Sequence, residues 1–263
     1  MRQDHYVSVT AGVTIDEINA VIEEFTNAGY TPDSGHAPAI GFLVSEKTLH
    51  GGSTPNLRFP AFNNLPALMR AVGKRATPVI HYNSRNLDTL SEQVKQALDA
   101  VYEADLCRMV QLNTRWPDTS HVKRIKEQFQ QLKIILQVSC RADQTPAKEA
   151  ADRIALYGDG LDHILIDPSR GRGEDLDVAY STALYSEIRS RMPQYSTVFA
   201  GGLNGENVED VLTRVINEIH TTEFSIDAEG KLRDTVGNDF FGQDTLNINK
   251  VRAYLQSAAK ILK

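Results

Sequence analysis

Thr197-Val198-Phe199-Ala200-Gly201-Gly202-Leu203-Asn204-Gly205-Glu206-Asn207-Val208, followed by Val211, Leu212, Val215, Ile216 and Ile219, contains one complete structural unit. Its first four residues are apolar and partly β-branched, the composition of a buried strand. Gly201, Gly202 and Gly205 then end the extended run and permit a tight turn. From Val208 onward the apolar residues stand 3, 4, 7, 8 and 11 positions from the first. That spacing puts them on one face of an α-helix. Strand, glycine turn and amphipathic helix, in that order, make a βα unit.

The same unit recurs along the chain. Strands are expected at 6–10, 40–44, 77–82, 108–112, 133–139, 163–166, 197–200 and 223–226, starting roughly 25 to 37 residues apart, about the length of one βα unit. Leu90, Val94, Ala97, Leu98 and Val101 repeat the helical spacing, as do Val251, Tyr254, Leu255 and Ala258. Thr14 with Glu17 reads as a capping box, and Thr145 before Pro146 as an N-cap with proline at the first helical position. Eight units in 263 residues predict an α/β fold, a single (β/α)8 TIM barrel occupying residues 1–263 as one domain. A doubly wound open sheet is the alternative built from the same elements.

Helix-to-strand connections are short, whereas 45–64, 167–177 and 227–248 are long strand-to-helix connections. In a βα barrel all strand-to-helix loops share the C-terminal rim, where active sites sit. The loops after strands seven and eight are that fold's recurrent phosphate site. Gly201, Gly202 and Asn204 follow the seventh strand, and Ala228, Glu229 and Gly230 follow the eighth. Backbone N–H groups at consecutive glycines, beside a helix N-terminus, suit an oxyanion. A tight turn without a ligand would use the same glycines, but their place after strand seven points to phosphate.

Composition is that of an ordinary globular protein, 41% hydrophobic and 24% charged. A net charge of −6 argues against nucleic acid as a partner. No apolar run reaches the roughly 18 residues of a membrane helix, and the N-terminus lacks a signal-peptide core. Two cysteines in separate segments form no disulfide framework, which suits a reducing cytoplasm. No histidine or cysteine pair has zinc spacing, so neither metal nor cofactor is expected. The expectation is a cytoplasmic monomer or homodimer that binds a small phosphorylated metabolite.

The motifs resemble those of phosphoribosylanthranilate isomerase, a tryptophan-pathway barrel. Phe199-Ala200-Gly201-Gly202-Leu203-Asn204-Gly205-Glu206-Asn207-Val208 is similar to that family's strand-seven motif of two glycines, a leucine and a Glu-Asn-Val helix opening. Ile164-Leu165-Ile166-Asp167 resembles its sixth strand, Gly171-Arg172-Gly173 the glycine-rich loop after it, Gly41-Phe42-Leu43-Val44 its second strand and Val110-Gln111-Leu112-Asn113 its fourth. The resemblance implies an Amadori-type aldose–ketose isomerisation, with Asp167 as the general acid that opens the sugar ring. It also implies a base, which in the family is a cysteine ending strand one. Here Thr10 or Ala11 stands in that place, and Asn113 replaces the family's strand-four histidine. Candidates for the missing base are Cys140, at the end of strand five, and Asp227 or Glu229 after strand eight. Arg170, Arg172 and Lys47 lie in rim loops and are candidate anion ligands. Two alternatives use the same rim: a non-catalytic barrel that only binds a phosphate ligand, and a lyase or epimerase chemistry on Cys140 or Asp227.

Overall fold

A computed structural model describes residues 5–10, 12–52, 54, 56–139, 145–167, 175–236 and 243–263. Eight parallel strands close into a barrel in sequence order: β1 (His5–Thr10), β2 (His36–Ser45), β3 (Thr77–Asn83), β4 (Met109–Leu112), β5 (Lys133–Val138), β6 (His163–Ile166), β7 (Ser196–Ala200) and β8 (Ser225–Ala228). Closure is direct, with Val7, Ser8 and Val9 of β1 paired to Ile226, Asp227 and Ala228 of β8. Helices wrap the outside: α1 (Ile15–Asn27), α2 (Glu46–Leu49), α3 (Leu65–Val72), α4 (Leu90–Tyr102), α5 (Thr119–Gln128), α6 (Ala147–Ala155), α7 (Val178–Arg191), α8 (Val208–Ile219) and α9 (Ile248–Ala258). The expected (β/α)8 architecture is therefore the observed one. Among the described residues, no helix is long and apolar enough to cross a membrane.

Several strand ends shift by one residue, and three further boundaries differ from the expected ones for physical reasons. Strand β2 begins at His36 rather than Ile40, although Pro38 lies inside it. Pro38 pairs with Val7 of β1, while pairing to β3 begins only at Ala39, so at Pro38 just one side of the strand is laddered. Strand β8 runs from Ser225 to Ala228 rather than 223–226. Asp227, an unfavourable strand residue on a solvated sheet, faces the barrel interior here and accepts a bond from Thr10. Helix α6 starts one residue later than expected, with Pro146 rather than Thr145 at the cap. The Thr14–Glu17 capping box forms as expected.

Alternation along each strand divides the core in two. Outward residues such as Val9, Phe42, Tyr82, Leu136 and Phe199 pack against the helices. Inward residues Tyr6, Ala39, Val79, Met109, Ile135, Leu165, Val198 and Ala200 fill the barrel itself. That apolar plug closes the lower barrel, so whatever lines the next layer up can form a site only at the C-terminal rim.

Gly205 has a packing role that its place in the turn does not suggest. A Cβ there would stand 2.5 Å from Ala253 Cβ and 2.8 Å from the Ala253 carbonyl carbon on α9. Backbone cannot yield cheaply, so Gly205→Ala is expected to cost about 1–3 kcal/mol, measurable as a lowered urea midpoint.

Candidate functional site

Further up the barrel from the apolar plug, the inward positions of six strands turn polar. They are Thr10 on β1, His81 on β3, Gln111 on β4, Gln137 on β5, Asp167 just past β6 and Asp227 on β8. The change from apolar to polar along the barrel axis floors a small cavity open at the rim. Its walls include His81, Gln111, Asn113, Gln137, Asp167, Asp227 and Glu229, with Gly201, Gly202, Ala228, Gly230 and Lys231 at the β7–β8 side.

The floor carries two hydrogen-bonded chains. In one, Gln111 Nε2 donates to Gln137 Oε1 at 3.0 Å and Gln137 Nε2 donates to Asp167 Oδ2 at 2.8 Å. In the other, the Thr10 hydroxyl donates to Asp227 Oδ1 at 3.1 Å, with the His81 ring nitrogens 3.4 Å from the same hydroxyl. Burial pushes the Asp227 carboxyl up from its ordinary 3.8 to about 6; the hydroxyls of Ser8 and Thr10 oppose the rise and the charge of Asp167 adds to it. Burial lowers the His81 imidazole to about 4 against the pull of Glu229, so His81 is neutral at physiological pH.

Gly41 makes the second chain possible. It pairs with Thr10 on β1, and a Cβ there would lie 2.3 Å from Thr10 Oγ1 and 2.8 Å from His81 Nε2. Gly41→Ala should push the Thr10 hydroxyl off Asp227. Because that bond favours the charged carboxylate, its loss is expected to raise the Asp227 titration midpoint above that of the wild type, as read by carboxyl NMR.

At the opposite wall, Gly201 and Gly202 adopt φ values of +125° and +56°, conformations that favour glycine. Asn204 does not line the cavity. Its Oδ1 accepts from the backbone of Glu206 and Asn207, while Asn207 Nδ2 donates to the Gly202 carbonyl at 2.9 Å. Asn204 thus shapes the turn rather than reaching a ligand. Lys47 lies on α2, exposed and away from the cavity walls. Cys140, Arg170 and Arg172 fall outside the described residues.

Glu229 is held from the side by Arg58, which comes from the long connection after β2. Arg58 Nη1 lies 2.7 Å from Glu229 Oε1, and its Nη2 lies 2.5 Å from Asp244 Oδ2. Asp244 belongs to a small antiparallel hairpin, β9 (Arg233–Thr235) and β10 (Asp244–Leu246), inserted before α9. Arg233 Nη1 approaches the same aspartate at 3.5 Å. Burial raises the Glu229 carboxyl, with Arg58 as the chief opposing influence. The charged residues from Asp227 to Asp234 divide between the barrel interior and the surface. Asp227 and Glu229 face inward, Arg233 is buried, and Asp234 pairs outward with Lys250 at 2.6 Å.

Sequence reading missed His81, Gln111, Gln137, Arg58 and Lys231 as site residues. For His81 and Gln137 a signal existed: a polar side chain interrupts an apolar strand at an inward position near its C-terminal end. Arg58 carries no such signal, since its partners lie more than 170 residues away. Among the described residues, no group of three or more His, Cys, Asp or Glu is placed to hold a metal ion.

No protein-family model matches this sequence, and neither does any curated protein. Solved structures do match in fold. A phosphoribosyl anthranilate isomerase from Thermococcus kodakaraensis superposes with a TM-score of 0.60 at 14% identity, over 97% of this chain and 98% of that one. TrpF from Jonesia denitrificans gives 0.59 at 17% identity, over 98% of each chain. A structure described as native KDPGal gives 0.53 at 13% identity, over 97% and 94%. At these identities the likeness is one of fold: this chain is a (β/α)8 barrel of the kind seen in the phosphoribosylanthranilate isomerases.

Proposed function

We propose that the rim binds a phosphorylated sugar compound and isomerises its aldose to a ketose, with Asp167 as acid and Asp227 as base. The observation that carries this reading is the placement of two carboxylates on one cavity floor, facing a glycine turn built on β7 and β8. Asp227 on β8 accepts a hydrogen bond from Thr10 on β1, where Thr10 or Ala11 stands in place of the resembled family's cysteine, and its midpoint of about 6 leaves it mostly ionised at neutral pH. In the forward direction Asp167 gives its proton to the ring oxygen as the bond from C1 to that oxygen breaks and a lone pair of the hydroxyl or amine on C1 forms a cationic C1=O or C1=N double bond. Asp227 takes the proton from C2, and that electron pair forms a C1–C2 double bond as the π pair returns to the oxygen or nitrogen on C1. Protonation at C1 with loss of the O2 proton then leaves the ketone at C2. No redox partner is consumed.

The glycine backbone at 201–202, the start of α8, the 228–230 turn and Lys231 would hold the phosphate. To test this, phosphoribosylanthranilate and D-ribose 5-phosphate are each offered to the wild type and to Gly202→Asp. The expected result is aldose-to-ketose turnover of at least one ester by the wild type, abolished in the variant. Ligand-raised melting temperature without turnover, confined to the wild type, would leave a phosphate-binding barrel without this chemistry. No response to either ester would remove the phosphate reading.

A further inference from the structure

The inner half of the cavity has a composition that the proposed acid–base chemistry does not require. Three carboxamides, Gln111, Asn113 and Gln137, line it. The Gln111-to-Gln137-to-Asp167 chain uses one N–H of each glutamine and one oxygen of Gln137. A carboxamide has two N–H donors and two lone pairs, so each retains capacity to give and to accept. Groups of that kind suit hydroxyls, which also do both.

The apolar part of the wall is small: Leu165, Ala200, Leu203 and Ala228. Among the described residues the His81 imidazole is the one ring that lines the cavity, and no Phe, Tyr or Trp does. Apart from the His81 ring, a bound aryl group would lay its faces mostly on amides and carboxylates, leaving them without partners. Charge points the same way. Asp227 and Glu229 face the cavity beside Asp167, Arg58 is already engaged by Glu229 and Asp244, and Lys231, which also lines the cavity, lies at the phosphate side. A second anionic group on the ligand would meet like charge.

We propose that the part of the ligand beyond its phosphate is an uncharged polyol, whose hydroxyls are read by Gln111, Asn113 and Gln137, and not an aryl carboxylate. This inference rests on the phosphorylated-sugar reading and narrows its substrate class. It separates this site from one built for phosphoribosylanthranilate.

The test is calorimetric binding of three probes to the whole protein: inorganic phosphate, D-ribose 5-phosphate and 2-carboxyphenyl phosphate. The sugar ester is expected to bind about tenfold or more tightly than inorganic phosphate, the return of one or two surplus hydrogen bonds. The aryl ester should gain nothing over inorganic phosphate. Gln111→Leu should lose the sugar's advantage while keeping the affinity for inorganic phosphate. The wild-type series stands as a test even if that variant fails to fold. An aryl gain equal to or above the sugar's, or no sugar gain where inorganic phosphate binds, overturns the inference and leaves the phosphate site standing. Failure of all three probes to bind overturns the phosphate reading and this inference with it.

Discussion

Asp227→Asn is expected to stabilise the folded protein at neutral pH while reducing turnover about 10²- to 10⁴-fold, the usual cost of removing a general base. The two effects share one cause. Burial holds the Asp227 carboxyl at about 6 in the folded barrel, against 3.8 for an ordinary aspartate. Between those values the folded protein keeps a proton that the unfolded chain has released. Stability therefore falls as pH rises through that window and stays lower above it. The difference amounts to ~3 kcal/mol at pH 7.5, which an uncharged asparagine would recover in part. Full recovery is not expected, because asparagine forfeits the charge-assisted bond from Thr10. At pH 4, where the native aspartate is itself protonated, variant and wild type should converge.

Urea midpoints at the two pH values, set beside turnover, check both halves of this expectation. A variant no more stable than wild type at pH 7.5 would mean that Asp227 is solvated and its ionisation unperturbed. A more stable variant with unchanged turnover would assign the strain at Asp227 to something other than the proposed chemistry. The wild-type kcat/KM should fall on the acid side near pH 6, as the base takes up its proton.

How far the sequence revealed this arrangement depended on the range of the signal. The β7–α8 unit was legible because its information is local: β-branched residues, glycines and an amphipathic repeat within a couple of dozen positions. The rim position of Asp167, Gly201, Gly202 and Glu229 followed from counting units. Asp227 falls just past the strand expected at 223–226, and aspartate is disfavoured in sheets. Its true position is tolerable only because a closed barrel offers a polar interior near the rim and a threonine hydroxyl from β1. The Thr10–Gly41–His81 contact joins three strands across the barrel, and no local pattern encodes it. Lys47 shows the opposite failure. Its charge in a long rim connection marks it as a candidate anion ligand, yet a short helix sets it outside the cavity, and the same connection delivers Arg58 instead.

Arg58→Met is expected to be the most destabilising single change at the rim, at about 3–5 kcal/mol, the range for breaking a buried ion pair from one side. Arg58 is only 5% exposed, and its guanidinium makes bonds of 3.0 Å and 3.1 Å from Nε to Asp244 in addition to its Nη contacts. Methionine fills much of the volume but leaves Glu229 and Asp244 without that partner. The penalty must then depend on pH. Without Arg58, burial is less opposed at Glu229, so its carboxyl should rise further and be neutralised by protonation as the medium becomes acidic. The gap between variant and wild type is accordingly largest at pH 7.5 and should narrow toward pH 4. Adding Asp244→Leu to Arg58→Met should recover part of the loss, because one stranded charge is removed as well. A penalty below about 1 kcal/mol, or one independent of pH, would mean that the cluster is solvent-screened like a surface pair. In that case Arg58 would be accessible to a ligand carboxylate, and the argument for an uncharged polyol would lose one of its supports.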